Sequence, residues 1–243
     1  MRAGYLRLGD ELGIHVAGGK GGTSRKTPSQ IEAAAETGGP DPGPLVYASR
    51  MSAKVDSAAV QDGYQLYHHS FFFTRTGQWA VVQQGMSAAA RYARRYHWLG
   101  ESLEAFVREP HAAIASDPAP GEGCLLNMVA GEAEASRSAS AAVARLDPSK
   151  VLAEVSRGPT LFMPAHHPVL AEDISPTFLD RLMRSIHARQ PADFEGLLGL
   201  PGVGPKAVRS LALIAELIYN APPSRRDPAT HRLGTLSARP ADF

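Results

Sequence analysis

A single cysteine, Cys124, occurs in 243 residues. That excludes an internal disulfide framework and a four-cysteine zinc site. Beside Leu125 and Leu126, Cys124 reads as a small buried hydrophobe. No apolar run is long enough to span a bilayer, and Met1 to Leu6 lacks the apolar stretch of a secretory signal. The expected location is the cytoplasm. Net charge is only +1, so the molecule is no polycation and charge must be judged locally. Lysine is scarce, five against twenty arginines, so arginine supplies most of any basic surface. What is present suits a globular chain long enough for one large or two small cores.

The first 44 residues are rich in glycine and proline. They hold Gly18-Gly19-Lys20-Gly21-Gly22, which lacks Walker spacing because Gly21 follows Lys20; it reads as a flexible basic loop or as disorder. Ser29–Glu36 is a short helix candidate and Gly38–Pro44 another loop. Leu66–Thr74 reads as a strand, Thr76-Gly77 as a turn and Trp79–Gln84 as the return strand. Met86–Leu99 reads as a helix carrying Arg91, Arg94 and Arg95 among aromatic residues, and Ser102–Arg108 as a further helix. An Ala/Ser/Glu-rich helix is expected over Leu125–Leu146. Asp147-Pro148 and Ser175-Pro176 each give a cap and first turn. Pro191–Leu198 and Ala207–Tyr219 are helices, the second nearly all apolar and therefore mostly buried.

The fold class expected is α+β. A core with a β-hairpin and helices spans residues 1–157. A helical segment follows at 158–228, and residues 229–243 read as a disordered or aberrant tail.

The segment Phe178–Arg239 carries nine Arg/Lys against five acids, a local +4. Within it lies Leu200-Pro201-Gly202-Val203-Gly204-Pro205-Lys206. Its glycines permit a tight turn and close backbone approach, and the following helix opens with free N–H groups suited to phosphate oxygens. Gly202, Val203, Gly204, Lys206 and Arg209 are the expected nucleic-acid contacts. They would hold the phosphate backbone without reading bases.

This stretch resembles the helix-hairpin-helix of DNA repair and recombination proteins. More narrowly, Pro191–Lys206 looks like that of the endonuclease-three class of DNA glycosylases. The resemblance implies Lys206 as a Schiff-base nucleophile and Asp227, 21 residues on, as the assisting acid. A plain interhelical turn, or a docking element for a protein partner, are the alternatives.

Upstream, Ser49–Asp56, Gln61–His69, Val82–Met86 and Ala93–Trp98 are dense in polar and aromatic residues. With Gly18–Gly21, Ser24–Pro28, Glu109-Pro110-His111 and His166-His167, they resemble the prokaryotic family catalogued as domain of unknown function seven-six-three, over roughly residues 10–228. Members of that family begin with a longer section containing Trp-His-Ser-Ser. They continue past the Asp-Pro at 227–228 into Lys-Asp-Gly and Val-Asp-Arg motifs. This chain departs from both, so the resemblance implies a shortened chain.

Three readings of the polar cluster compete. Asp56 or Asp62 with His68, His69, His97 or His111 would bind a divalent metal for phosphodiester hydrolysis; Asp62, His68 and His97 are the set put forward. The adjacent His68 and His69 would face opposite sides of a strand, so only one joins any site. Arg91, Arg94 and Arg95 with Tyr96 and Trp98 would form a basic-aromatic face for phosphates and bases. Otherwise the cluster is a hydrogen-bonded polar core. The function expected is sequence-independent DNA binding in repair or processing. Glycosylase/lyase, metal-dependent nuclease and protein-interaction readings stand behind it.

Overall fold

The chain is α+β, and the computed structural model describes residues 13–36, 38–87, 92–116, 125–156, 175–229 and 231–232. β1 (Ile14–Lys20) leads through a 3₁₀ turn into α1 (Thr27–Glu36). The Asp41 carboxylate then accepts the Gly43 N–H at 3.0 Å, starting α2 (Pro42–Lys54), which runs on as a π-helical turn over Val55–Ala59. Next come β2 (Val60–Gln61), β3 (Gln65–Thr74), β4 (Trp79–Met86), β5 (Ala93–Leu99), β6 (Ala113–Ser116) and β7 (Leu126–Asn127). The helices α3 (Glu134–Arg145), α4 (Pro148–Ser156), α5 (Pro176–His187), α6 (Phe194–Gly199) and α7 (Pro205–Tyr219) follow, and β8 (His231–Arg232) comes last.

The main sheet runs β1-β3-β4-β5-β6-β8, antiparallel except for the parallel β6–β8 pair; β2 and β7 form a second, two-stranded sheet. Side chains alternate across each strand. Phe71, Phe73, Val81, Tyr96, Trp98 and Ile114 are buried on one face, in a cluster that includes Ile31 of α1 and Leu45 and Met51 of α2. The same cluster continues into Leu179, Leu197 and Leu211 of α5 to α7, so one core joins residues on both sides of position 158. His68, Arg95, His97 and Leu99 fall on the opposite, less covered face.

Several expectations hold. The Phe71–Trp79 hairpin forms with Gly77 at φ 85°, and the helices at 27, 148, 176, 194 and 205 start within a few residues of their signals.

Others are corrected. Gly18 and Gly19 are not loop: they pair with β3 in β1. A Cβ on Gly18 would stand 2.2 Å from the His69 carbonyl oxygen, so glycine there permits close strand approach. Met86–Leu99 is not a helix. Met86 ends one strand, and Ala93–Leu99 is another that pairs with it along β4. Period-two alternation buries Arg94, Tyr96 and Trp98 while leaving Arg95 and Leu99 exposed, and sheet pairing overrides helix propensity. Ser102–Arg108 forms turns, not a helix. Gly38–Pro44, read as loop, contains the start of α2. Arg91, Cys124 and His166-His167 lie outside the described residues.

Candidate functional site

Two polar networks sit under the sheet and meet at one cavity. The first is centred on Asp56, which the π-helical turn places at 0% exposure. One carboxylate oxygen accepts Gln83 Nε2–H at 2.5 Å and Trp98 Nε1–H at 2.9 Å; the other accepts His111 Nε2–H at 2.6 Å. π-Turns recur where a helix must deliver a functional side chain.

Hydrogen-bond chemistry orders most of this network. Gln83 Nε2 also reaches the Ser52 carbonyl at 3.1 Å, so a reversed amide would set oxygen against two acceptors. Gln83 Oε1 therefore accepts from His69 Nδ1 at 2.9 Å, and His69 Nε2 accepts from the Ser49 hydroxyl at 3.0 Å. His69 is thus the neutral Nδ1–H tautomer. Burial lowers its pKa, against the pull of the Gln83 bond and Asp56. At the other end, His111 donates from Nε2 to Asp56, and its Nδ1 carries a lone pair in the neutral ring and a proton in the charged one. Among the described residues no hydrogen bond is made to it.

The second network is centred on Arg94, which is 1% exposed. Its guanidinium donates to Asp62 at 2.6 Å, to Asp227 at 3.1 Å and to Ser116 Oγ at 3.1 Å, and it lies 4.5 Å over the Tyr64 ring. Asp62 also accepts from Tyr96 Oη at 2.8 Å and from the Tyr64 N–H at 3.2 Å. Burial disfavours the Arg94 charge, but Asp62 and Asp227 outweigh it and hold the pKa above its ordinary value. Burial pushes Asp62 up, while Arg94 and Tyr96 pull the other way.

Both networks end at a cavity of about 400 Å³ whose polar lining includes Glu109, His111, Arg226 and Asp227, with Ile114 and Val129 among its apolar walls. Glu109 is held at φ 41°, an uncommon conformation for a side chain other than glycine. Arg226 is bridged to Glu109 at 2.9 Å and to Glu132 at 3.2 Å. Asn127 ties two lining segments together: its amide donates to the Arg226 carbonyl at 3.0 Å, and its oxygen accepts the Val129 and Ala130 N–H groups at 3.2 Å.

The residues put forward from the sequence fall elsewhere. Arg94 is not a surface phosphate contact but the buried partner of two aspartates. Arg95 is exposed on the open sheet face. Asp62 is turned inward on Arg94 while His68 and His97 lie on the far face of the sheet, so strand alternation keeps the three apart. Among the described residues no group of three or more His, Cys, Asp or Glu is placed to hold a metal ion. Asp56 and His111 do meet, as an acid–histidine pair.

Lys206 lies 4.5 Å over the Phe178 ring, and Asp227 is on Arg94; the cavity that Asp227 lines does not include Lys206. Arg209 donates to Gln61 Oε1 at 2.6 Å, and Val203 is buried. Nothing local in the sequence assigns a site role to Gln83 or Ser116. A period-two reading of Ala93–Leu99 would have set Arg94, Tyr96 and Trp98 on one buried face.

The turn between α6 and α7 is exposed at Pro201 and Gly202, with Gly202 at φ 84°. A Cβ on Gly202 or Gly204 would meet nothing within 4 Å. Three of its carbonyls are taken from inside the fold. Lys54 Nζ donates to Leu200 at 3.1 Å and Val203 at 2.6 Å, and Gln61 Nε2 donates to Pro205 at 2.9 Å.

These features define an α+β protein with a helix-backed, largely antiparallel sheet and a buried acid–histidine pair beside an open cavity. The chain belongs to the family described as protein of unknown function (DUF763), whose model matches residues 1–235. The match runs past Pro228, where the resemblance was expected to stop, and takes in β8. No curated protein and no solved structure matches the chain. Among the described residues no helix is long and apolar enough to cross a membrane.

Proposed function

We propose that the protein binds nucleic acid through the phosphate backbone, using the turn between α6 and α7 as a helix-hairpin-helix. One observation carries this reading: an exposed glycine turn keeps free N–H donors while a lysine from inside the fold braces it. Lys54 and Gln61 occupy the carbonyls of Leu200, Val203 and Pro205 from within. The N–H groups of Gly202, Gly204 and Lys206 have no acceptor among the described residues. Free backbone donors on an exposed turn suit an anion. The Lys54 ammonium beneath it and the first turn of α7 add positive potential. Such contacts are sequence-independent, in keeping with a role in DNA repair or processing.

The test is fluorescence anisotropy of labelled single- and double-stranded DNA across a salt series. Each phosphate that the protein neutralises steepens the fall of log affinity with log salt, by about 0.9 on duplex DNA. A slope equivalent to several phosphates, abolished by Gly202→Ala with Gly204→Ala, is the expected outcome. Absence of binding at low salt would remove the reading.

A further inference from the structure

We infer that the open face of the main sheet is a binding surface for single-stranded nucleic acid, with phosphates on Lys20 and Arg95 and bases on the rings and apolar side chains beside them. The partner is of the class proposed above, but the surface is a separate one. The α6–α7 turn belongs to the helices that share a core with the other face. Neither reading depends on the other.

Strand register lays this surface out in rows. One row is Lys20–His68–Gln84–Arg95. The next is Gly18–Ser70–Val82–His97, and beyond it runs Val16–Phe72–Ala80–Leu99. Standard sheet spacings put Lys20 and Arg95 about 14 Å apart across the strands, and the apolar row about 13 Å along them.

The charge on this face has one sign. Strands β1, β3, β4, β5 and β6 contain no Asp or Glu. Lys20 and Arg95 are exposed, and among the described residues neither is in an ion pair. The neighbouring imidazoles feel that field: burial and then Lys20 lower the pKa of His68, as burial and Arg95 lower that of His97. Cations with no carboxylate among them attract a polyanion. The two histidines, neutral at pH 7, offer flat rings between the cations.

The apolar row selects a single strand among polyanions. Val16 and Leu99 are 43% and 42% exposed, unusually open for large apolar side chains in a sheet. Ile14, Phe72, Ala80 and Leu99 help to wall a hollow of about 230 Å³, room for one flat heterocycle. His68 is tied along the face to Ser70 at 2.7 Å. Single strands bind where cations follow the backbone and rings or apolar groups meet unstacked bases. A duplex keeps its base faces in the stack and would meet the cations alone.

The experiment is fluorescence anisotropy of the full chain with labelled oligothymidylate of about 12 nucleotides and with a duplex of equal length, each across a salt series. Lys20→Gln with Arg95→Gln, two exposed positions, should weaken single-strand binding by about tenfold and flatten its salt slope by about 1.4, which is 0.7 for each charge. Leu99→Ala should weaken it by about threefold with the slope unchanged. Circular dichroism checks the folding of each variant.

Gly202→Ala with Gly204→Ala removes the duplex contact of the turn, so the single-strand binding left in that variant measures the sheet alone. A chain that binds no duplex but binds single strands through Lys20 and Arg95 would remove only the hairpin reading. Single-strand affinity unmoved by Lys20→Gln with Arg95→Gln would overturn the inference, as would an equal loss on the duplex. Polyglutamate or phosphatidylserine vesicles bound as tightly as the oligonucleotide would also overturn it, in favour of an acidic peptide or a membrane surface.

Discussion

Arg94 and Asp227 are 133 residues apart in the chain and hydrogen-bonded at 3.1 Å in the fold. The guanidinium joins β5, deep in the sheet, to the segment at 226–229 that lines the cavity. Asp62 holds its other side.

Removing the arginine strands a buried carboxylate. Asp62 has a side chain at 0% exposure, so Arg94→Met should cost about 3–5 kcal/mol, the usual result of breaking a buried pair on one side. Asp227→Asn should cost only about 1 kcal/mol, because the Asp227 side chain is 20% exposed and Arg94 keeps Asp62. Equilibrium urea unfolding of the two variants measures both, and equal losses would contradict the hierarchy.

Asp56→Asn tests the proton assignments. An amide presents acceptor oxygen on one side only, so either His111 or the Gln83 and Trp98 donors must face N–H groups. The expected cost is about 2 kcal/mol for the lost charge-assisted bonds, with His111 moving its proton to Nδ1. The ¹⁵N shifts of the His111 ring report that tautomer directly, and an unchanged tautomer would refute the hydrogen-bond order described.

Acidity should weaken the fold by way of His69. Burial holds its pKa below 6.5. Between that lowered value and 6.5 the unfolded chain binds a proton that the folded chain does not. Stability is then full above about pH 6.5 and falls as pH decreases through the window. His68 and His97, also lowered by burial, act in the same direction. Urea midpoints at pH 7.5, 6.5 and 5.5 should decline, and His69→Gln should flatten the decline. A midpoint independent of pH over that range would count against the neutral tautomer.

Glycine substitutions separate close approach from turn geometry. Gly18→Ala meets the His69 carbonyl and a φ of 93°, and should cost about 3 kcal/mol. Gly202→Ala has open space and only a φ of 84° to contend with, and should cost about 1 kcal/mol. Thermal unfolding of the pair gives the comparison, and the reverse order would be decisive against it.

Lys54→Met should loosen the turn that it holds by the carbonyls of Leu200 and Val203. DNA affinity is expected to drop by about five- to tenfold across sequences alike, as for loss of a backbone-positioning lysine. Anisotropy with two unrelated duplexes checks it; a drop on one duplex alone would argue for base reading.

The fold was legible where period and punctuation agreed. Phe71 and Phe73 with Gly77 announced the β3–β4 hairpin, and Pro148, Pro176 and Pro205 each stand in the first turn of a helix. It was illegible where tertiary contacts decided. Arginine in Ala93–Leu99 suggested a wet helix because the carboxylates that neutralise Arg94 lie 32 and 133 residues away.

Pro42-Gly43-Pro44 suggested a loop although a proline belongs in a helix's first turn. Asp56 and His111 are both candidates by residue type, but 55 residues separate them and their pairing depends on a π-turn that composition does not announce. The cavity is a product of chain crossing and has no signature in any one segment.

The row Ser49–His69–Gln83–Asp56–His111 has a carboxamide as its middle member, and a carboxamide has no proton to relinquish at ordinary pH. The bonds run one way from Ser49 to Asp56 and the other way from His111, converging on the acid. Such a row aligns its members but does not conduct: a proton accepted at His111 has no route to Ser49. It behaves as an insulator of fixed polarity, confining any charge gained at the cavity to the cavity.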